Sequence, residues 1–246
     1  MKSKQFHRFI NRIAQYEADV EMADVIQISS YQGKLHTAGS MTVFDAVDQA
    51  KHPCLSARTN TAYGRTMIIR HLKATVFSSF IKDLYEDLTA YLQAILFCAA
   101  KNSFDPSRLI GEHKLSLDAN ELLQAGSWPA VVKLVTDSVF RKMENEKSTK
   151  DLILKIDSKL NLGINKDLIN AALPYLEIRH LLVHVDGIAD KPFCEKFTQF
   201  GLTPGTKVKI NYQIAQDAKK HIIALAQSID RKLIQHNIIP ASDISK

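Results

Sequence analysis

The sequence has few cysteines and no long hydrophobic run. Its three cysteines, Cys54, Cys98 and Cys194, are an odd number without Cys-x-x-Cys spacing, which indicates neither a disulfide framework nor a cysteine-based zinc site. The longest apolar run, 94–100, is far shorter than the roughly 18 residues of a membrane-spanning helix. The basic N-terminus lacks the apolar core of a secretory signal. We therefore expect a cytoplasmic protein without a membrane partner.

The composition is that of a folded protein with a basic surface. With 246 residues and 46% hydrophobic content, the chain can bury a full core in one domain or at most two. Lysine and arginine number 32 against 26 acidic residues, a net charge of +6. This excess favours anionic partners such as RNA.

Apolar residues recur every three or four positions along most of the chain, which predicts an all-α protein. The strongest pattern, 64–101, predicts a helix of roughly 55 Å that forms the spine of a bundle. Other helices are predicted at 4–27, 118–124, 128–143, 152–160, 166–184 and 214–235, with a short helix near 42–49, a helical turn within 192–201 and an extended piece at 207–210. We expect an N-terminal helical arm and irregular segment over 1–61 and a helical bundle over 62–240.

The segment 174–190 places two titratable groups in apolar surroundings. Arg179 and His184 lie among leucine, isoleucine and valine, so the guanidinium must find a partner or line a cleft. Arg179 and His184 are five positions apart, which places them roughly 140° apart around a helix. For both to act on one group, the helix must end or distort at His184, as the following Asp-Gly pair suggests, or a second copy must supply the partner residue.

The order Arg179, His180, three residues and His184, continued by Gly187 and Ile188, resembles the signature of HEPN-domain ribonucleases. The match is best with the larger HEPN proteins of prokaryotic defence and toxin systems. The resemblance implies a HEPN-like helical bundle and covers about 64–237, whereas the first sixty residues match no family that we can name. Some members carry tyrosine two positions after the histidine, where this chain has Asp186.

The resemblance also implies an activity. Members cleave RNA without a metal or other cofactor, through attack of the 2′-hydroxyl on the neighbouring phosphate to give a 2′,3′-cyclic phosphate. His184 would transfer the proton, Arg179 would balance the phosphorane charge, and His180 would contact phosphate or orient the motif. A homodimer with one composite cleft, a toxin–antitoxin or phage-defence setting and an antitoxin or regulatory partner follow from the same resemblance.

Further residues are candidates for supporting roles. Glu86 and Asp87 lie on the spine helix, where such families sometimes carry an acidic residue that faces the motif, and Asp186 follows it. Lys207 and Lys209 are candidates for binding the RNA backbone.

Structural alternatives exist for each residue of the motif. Arg179 would pair with Glu86 or Asp87 without any catalytic role, His180 would be a core residue in register with Leu173 and Leu176, and His184 would cap the helix.

Two alternative functions also remain. His180 and His184 stand at the i, i+4 spacing of a zinc pair, with Asp186 or Asp190 as a third ligand. A HEPN-like bundle that only binds RNA or protein is the other alternative.

Overall fold

The computed structural model describes residues 1–32, 48, 50–56, 61–102, 105–111, 115–145 and 148–245. Most of these residues are helical, which confirms the all-α class. The short helix expected near 42–49 lies outside the described residues, apart from residue 48. In the described part of the chain, no helix is both long and apolar enough to cross a membrane.

The longer helices follow the sequence predictions closely, whereas the short helices Pro53–Ser56 and Pro106–Ile110 were not predicted. The helices are α1 (Lys4–Tyr31), α2 (Pro53–Ser56), α3 (Ala62–Lys101), α4 (Pro106–Ile110), α5 (Ala119–Gln124), α6 (Trp128–Glu144), α7 (Thr149–Leu160), α8 (Lys166–His184), α9 (Lys191–Lys196) and α10 (Tyr212–Gln235). Short 3-10 turns follow at Thr198–Phe200 and Ala241–Asp243. Side chains cap most N-termini; the Thr61 hydroxyl, for example, accepts from the Gly64 N–H at 3.1 Å and begins α3.

Helix α3 is the spine of the fold. Its 40 residues span roughly 60 Å, and it packs against α1, α6, α8 and α10. Its buried residues recur at helical spacing, among them Phe77, Leu84, Leu88 and Ile95. The predicted spine helix over 64–101 is thereby confirmed.

The N-terminal helix shares the core of this bundle. Phe6 and Phe9 of α1 are buried and lie with their rings 6.1 Å and 5.6 Å from that of Tyr91 in α3. Further along α1, Asp24 forms an ion pair with Lys73 of α3 at 2.6 Å. Helix α1 therefore packs along the spine, and the division of the chain at residue 61 stays a prediction.

The two ends of the chain are fastened together. Strand β1 (Lys2–Ser3) pairs antiparallel with β2 (Ile244–Ser245). The buried Asp230 of α10 accepts from the backbone N–H of Ser3 at 3.0 Å, from the Ser3 hydroxyl and from the Tyr91 hydroxyl at 3.4 Å. Ser3 and Asp230 are 227 positions apart, and local periodicity does not predict a contact over that separation.

The segment after α8 folds back beside the end of that helix. Lys207 forms an isolated antiparallel bridge with Ile188, and the Val208 N–H donates to the Gly187 carbonyl at 2.8 Å. The expected extended piece at 207–210 is thus held by backbone pairing with the turn after α8, although it forms a single bridge and not a strand.

Candidate functional site

Helix α8 carries the motif and ends where the sequence predicts. Its N-cap is Asn165, whose side chain accepts from the Asp167 N–H at 2.8 Å. At the other end, Asp186 and Gly187 both have positive φ, at 54° and 77°, and the Gly187 N–H donates to the Leu181 carbonyl at 2.8 Å. This turn ends the helix immediately after His184.

Two imidazoles lie side by side in the last turn of α8. His180 and His184 are both exposed, and their ring centroids are 4.6 Å apart with the planes tilted by 45°. The interpretation of His180 as a core residue is therefore wrong, although Leu173 and Leu176 in the same register are buried. The last turn of α8 presents two proton-transfer groups to solvent.

Arg179 is held against the spine helix. Its Nη2 donates to Glu86 Oε1 at 2.6 Å, and its guanidinium carbon lies 4.2 Å from the centre of the Tyr85 ring. The Arg179 side chain is 22% exposed, and Glu86 is 59% exposed. The Nε atom of Arg179 is buried and has no hydrogen-bond partner among the described residues. The structure thus brings Glu86 to the motif.

Arg179 and His184 do not meet within one chain. Arg179 contacts Tyr85 and Glu86 of α3, whereas His184 lies beside His180. Helix α8 continues regularly to His184, so no distortion brings the two side chains together. In the described part of the chain, neither a hydrogen bond nor a ring contact joins them.

Asp87 lies on a different side of α3 from Glu86. It is buried and forms an ion pair with Arg12 of α1 at 2.9 Å. Burial raises the pKa of the Asp87 carboxyl, and the charge of Arg12 opposes that shift. Its Oδ2 atom is buried without a hydrogen-bond partner among the described residues. Asp87 therefore joins α1 to α3 and is not brought to the motif helix.

Exposed apolar side chains lie close to His184 in the sequence. Val183 and Val185 flank His184 and are 45% and 44% exposed, and Ile188 is 45% exposed. Exposed aliphatic side chains that cluster around polar groups are typical of a surface that binds another protein.

A basic groove lies beside the motif. It has a volume of about 640 Å³ and separates α3 from the segment 207–211. The predicted candidates Asp186, Lys207 and Lys209 line it together with Arg70 and Lys82. The last two were missed, although Arg70, Ala74, Ser78 and Lys82 repeat at four-residue steps and mark one hydrophilic face of α3.

The zinc alternative has two candidate ligands in place. His180 and His184 present their imidazoles on one face of α8. No group of three histidine, cysteine or acidic side chains converges anywhere among the residues that the structure describes. Asp186 lines the basic groove, and the Asp190 side chain caps α9 through the Phe193 N–H at 2.8 Å.

Comparisons of this chain with family models, with curated proteins and with solved structures found no match. The fold and site therefore define an all-α protein with a conspicuous helix-end cluster of arginine and histidine.

Proposed function

We propose that this protein is a metal-independent endoribonuclease of the HEPN type. The observation that carries the proposal is the last turn of α8, where His180 and His184 are exposed side by side, directly after the anchored Arg179. A proton-transfer group and a fixed guanidinium are what cleavage of a phosphodiester by its own 2′-hydroxyl requires.

The reaction needs no water and no metal. The 2′-oxygen attacks the adjacent phosphorus, the bond from phosphorus to the 5′-oxygen breaks, and a 2′,3′-cyclic phosphate remains. One imidazole accepts the 2′-hydroxyl proton, and another acid protonates the departing 5′-oxygen. Arg179 stabilises the extra negative charge on the phosphorane. DNA is not a substrate because it lacks the attacking hydroxyl.

The site is proposed to be complete only in a homodimer. Arg179 and His184 point to different partners within one chain, so a second α8 has to bring its His184 to the first Arg179. The exposed Val183, Val185 and Ile188 supply apolar surface for that contact. A two-fold axis at this surface places two such pairs of Arg179 and His184 in one cleft, and His184 is the base of each pair.

Glu86 and Tyr85 are proposed to orient Arg179. Within the described part of the chain, Arg179 makes one side-chain hydrogen bond, to Glu86, whereas a guanidinium has five N–H donors. Donors therefore remain for a phosphate, while the Tyr85 ring limits the rotation of the guanidinium plane. Lys207 and Lys209 would bind the RNA backbone nearby. The toxin–antitoxin or phage-defence setting, and with it an antitoxin partner, rests on the resemblance alone.

The test is incubation of single-stranded and structured RNA with the protein in excess EDTA, followed by analysis of the product ends. Wild type should produce cyclic phosphates, and His184→Ala and Arg179→Ala should not. His236→Ala is the matched control, because His236 is also an exposed histidine at the end of a helix, α10. Wild-type cleavage that His184→Ala retains would refute the assigned site.

A HEPN-like module that binds RNA or protein without cleaving it is the second candidate. The observation that favours it is the occupation of Arg179 by Glu86 and Tyr85, which also suits a purely structural arginine. This candidate predicts that wild type binds RNA and leaves it with no new ends under every condition tested.

A further inference from the structure

We propose that the groove between α3 and the segment 207–211 binds the sugar–phosphate backbone of single-stranded RNA as the strand leaves the motif. This inference rests on the proposed function for the direction of the strand, but the binding itself is independent of cleavage. It assigns Arg70, Lys82, Thr75, Ser78 and Ser79 of α3 to the wall opposite Lys207 and Lys209.

The charges in the groove favour an anionic occupant. Lys82, Lys207 and Lys209 form no ion pair with any described residue. Arg70 donates to the Tyr31 hydroxyl at 2.8 Å and so keeps its charge uncompensated. Lys73 also lines the groove but is neutralised by Asp24 at 2.6 Å. Four cations therefore face one lining carboxylate, Asp186, and an extended polyanion can neutralise them together.

The position of the groove relative to the motif is fixed by backbone contacts. The Val208 N–H donates to the Gly187 carbonyl at 2.8 Å, and Lys207 bridges Ile188, so one wall is attached to the turn that ends α8. Leu182 and Asp186, each two residues from His184, line the same groove. A strand with its scissile phosphate at His184 therefore reaches the groove within about one or two nucleotides.

The lining residues indicate which part of the RNA is contacted. The hydroxyls of Ser78 and Ser79 and the amide of Asn211 supply hydrogen-bond donors for phosphate oxygens, whereas the Thr75 hydroxyl donates to the His71 carbonyl at 3.1 Å. Among the described residues that line the groove, His71 is the one aromatic side chain, and phenylalanine, tyrosine and tryptophan, the larger rings on which successive bases stack, are absent. Binding should therefore follow the backbone and depend strongly on salt, with little preference for base sequence.

The experiment measures the affinity of His184→Ala for labelled single-stranded RNA of about 15 nucleotides by fluorescence anisotropy, over a range of salt concentrations. Oligouridylate and oligoadenylate are compared with an RNA duplex of equal length. Lys82→Ala and Lys209→Ala are each introduced separately into His184→Ala. Lys166→Ala is the matched control, because Lys166 is exposed at the opposite end of α8, roughly 27 Å along the helix from His184.

With four cations engaged, log K should fall with log salt at a slope near −3, at about 0.7 per neutralised phosphate. Lys82→Ala and Lys209→Ala should each weaken binding about fivefold and reduce the slope by about 0.7, while Lys166→Ala changes neither. The two homopolymers should bind within about threefold of one another, and more tightly than the duplex.

The inference is overturned if His184→Ala binds no RNA, if Lys166→Ala weakens binding as much as Lys82→Ala, or if the duplex binds as tightly as the single strands. Its failure is distinguishable from failure of the proposed function. If Lys82→Ala cleaves RNA as fast as wild type, the proposed role of the groove is refuted and the proposed ribonuclease activity stands. If wild type never cleaves RNA but binds it in a salt-dependent way that Lys82→Ala weakens, the ribonuclease proposal is refuted and the role of the groove stands.

Discussion

Arg179 combines an exposed ion pair with a partly buried ring contact. Glu86 is largely exposed, so the ion pair itself contributes at most about 1 kcal/mol to folding. Stacking on Tyr85 fixes the plane of the guanidinium as well as its charge. These contacts should therefore matter more for the orientation of the Arg179 guanidinium than for the stability of the fold.

Replacement of Arg179 by lysine should keep the fold and abolish most of the cleavage. Lysine retains the charge but loses the planar fork, so we expect a loss of about a hundredfold in kcat with a change in unfolding free energy of about 1 kcal/mol or less. Glu86→Gln should cost less than Arg179→Lys because Tyr85 still supports the guanidinium. Cleavage kinetics and urea unfolding check both. A lysine variant as active as wild type would show that Arg179 does not act on the phosphorane.

Asp87 gives the protein a pH dependence of stability. Because burial raises the pKa of its carboxyl, the folded chain keeps this proton to a higher pH than the unfolded chain. The charge of Arg12 opposes the shift, and the charges of Asp83 and Glu86 add to it. Stability from this group is therefore present at low pH and is lost as pH rises from about 4 through the raised pKa.

The variant Asp87→Asn should make the fall in unfolding free energy between about pH 4 and neutrality less steep. Urea unfolding at a series of pH values measures this slope. Asp217→Asn is the control, because Asp217 accepts a surface hydrogen bond from Gln213 on α10 at 2.9 Å. An unchanged slope in Asp87→Asn would contradict the assignment.

At the scale of the elements, the turn after α8 joins the motif to the groove. Gly187 has a φ of 77°, and an added Cβ would lie 3.3 Å from Leu182 Cδ2 and 3.7 Å from Lys207 Cε. Gly163 has a φ of 66° with nothing within 4 Å of such a Cβ. The two glycines share the backbone cost of a side chain and differ in their neighbours.

Gly187→Ala and Gly163→Ala should each destabilise the fold by about 1 kcal/mol, because alanine disfavours positive φ. Only Gly187→Ala should also weaken RNA binding, because its methyl group contacts the Leu182 and Lys207 side chains. Thermal unfolding and anisotropy provide the two measurements. Equal RNA affinities for the two variants would contradict a role of this turn in RNA binding by the groove.

Local patterns predicted the elements well and their contacts less well. The apolar period and the Asp-Gly stop gave α8 its observed ends, 166 and 184. The same periodicity predicts that His180 is buried like Leu176, yet His180 is exposed. Periodicity gives the face of a helix but does not show which of its turns other elements cover. Asp87 and Glu86 are adjacent in sequence, and their roles differ only because α1 brings Arg12 to Asp87 whereas α8 brings Arg179 to Glu86.

At the scale of the whole molecule, Asp230 fastens the N-terminus to α10 and α3. It accepts hydrogen bonds from Ser3 and Tyr91 in a buried site, and burial near this carboxylate raises the pKa of Tyr91 well above its ordinary value. This long-range cluster has no counterpart in local periodicity, which is why the sequence did not reveal it.

Asp230→Ala should lower the unfolding free energy by about 3 kcal/mol, because it leaves the buried N–H and hydroxyl donors of Ser3 without their acceptor, whereas the Tyr91 hydroxyl keeps the Ala226 carbonyl at 3.4 Å. Asp217→Ala on the same helix should cost about 0.5 kcal/mol or less. Urea unfolding compares the two. Similar losses in both variants would contradict a structural role for the buried cluster.

The proposed ribonuclease site is composite and shared between two copies of the chain. The most direct test of this sharing is to mix Arg179→Ala with His184→Ala, allow the subunits to exchange, and assay RNA cleavage in EDTA. Each variant alone should be inactive, whereas the mixture should recover roughly a quarter of wild-type activity, because half of the dimers then hold one intact Arg179 and His184 pair. A mixture that stays inactive, although the variants form dimers with one another, would contradict the composite site.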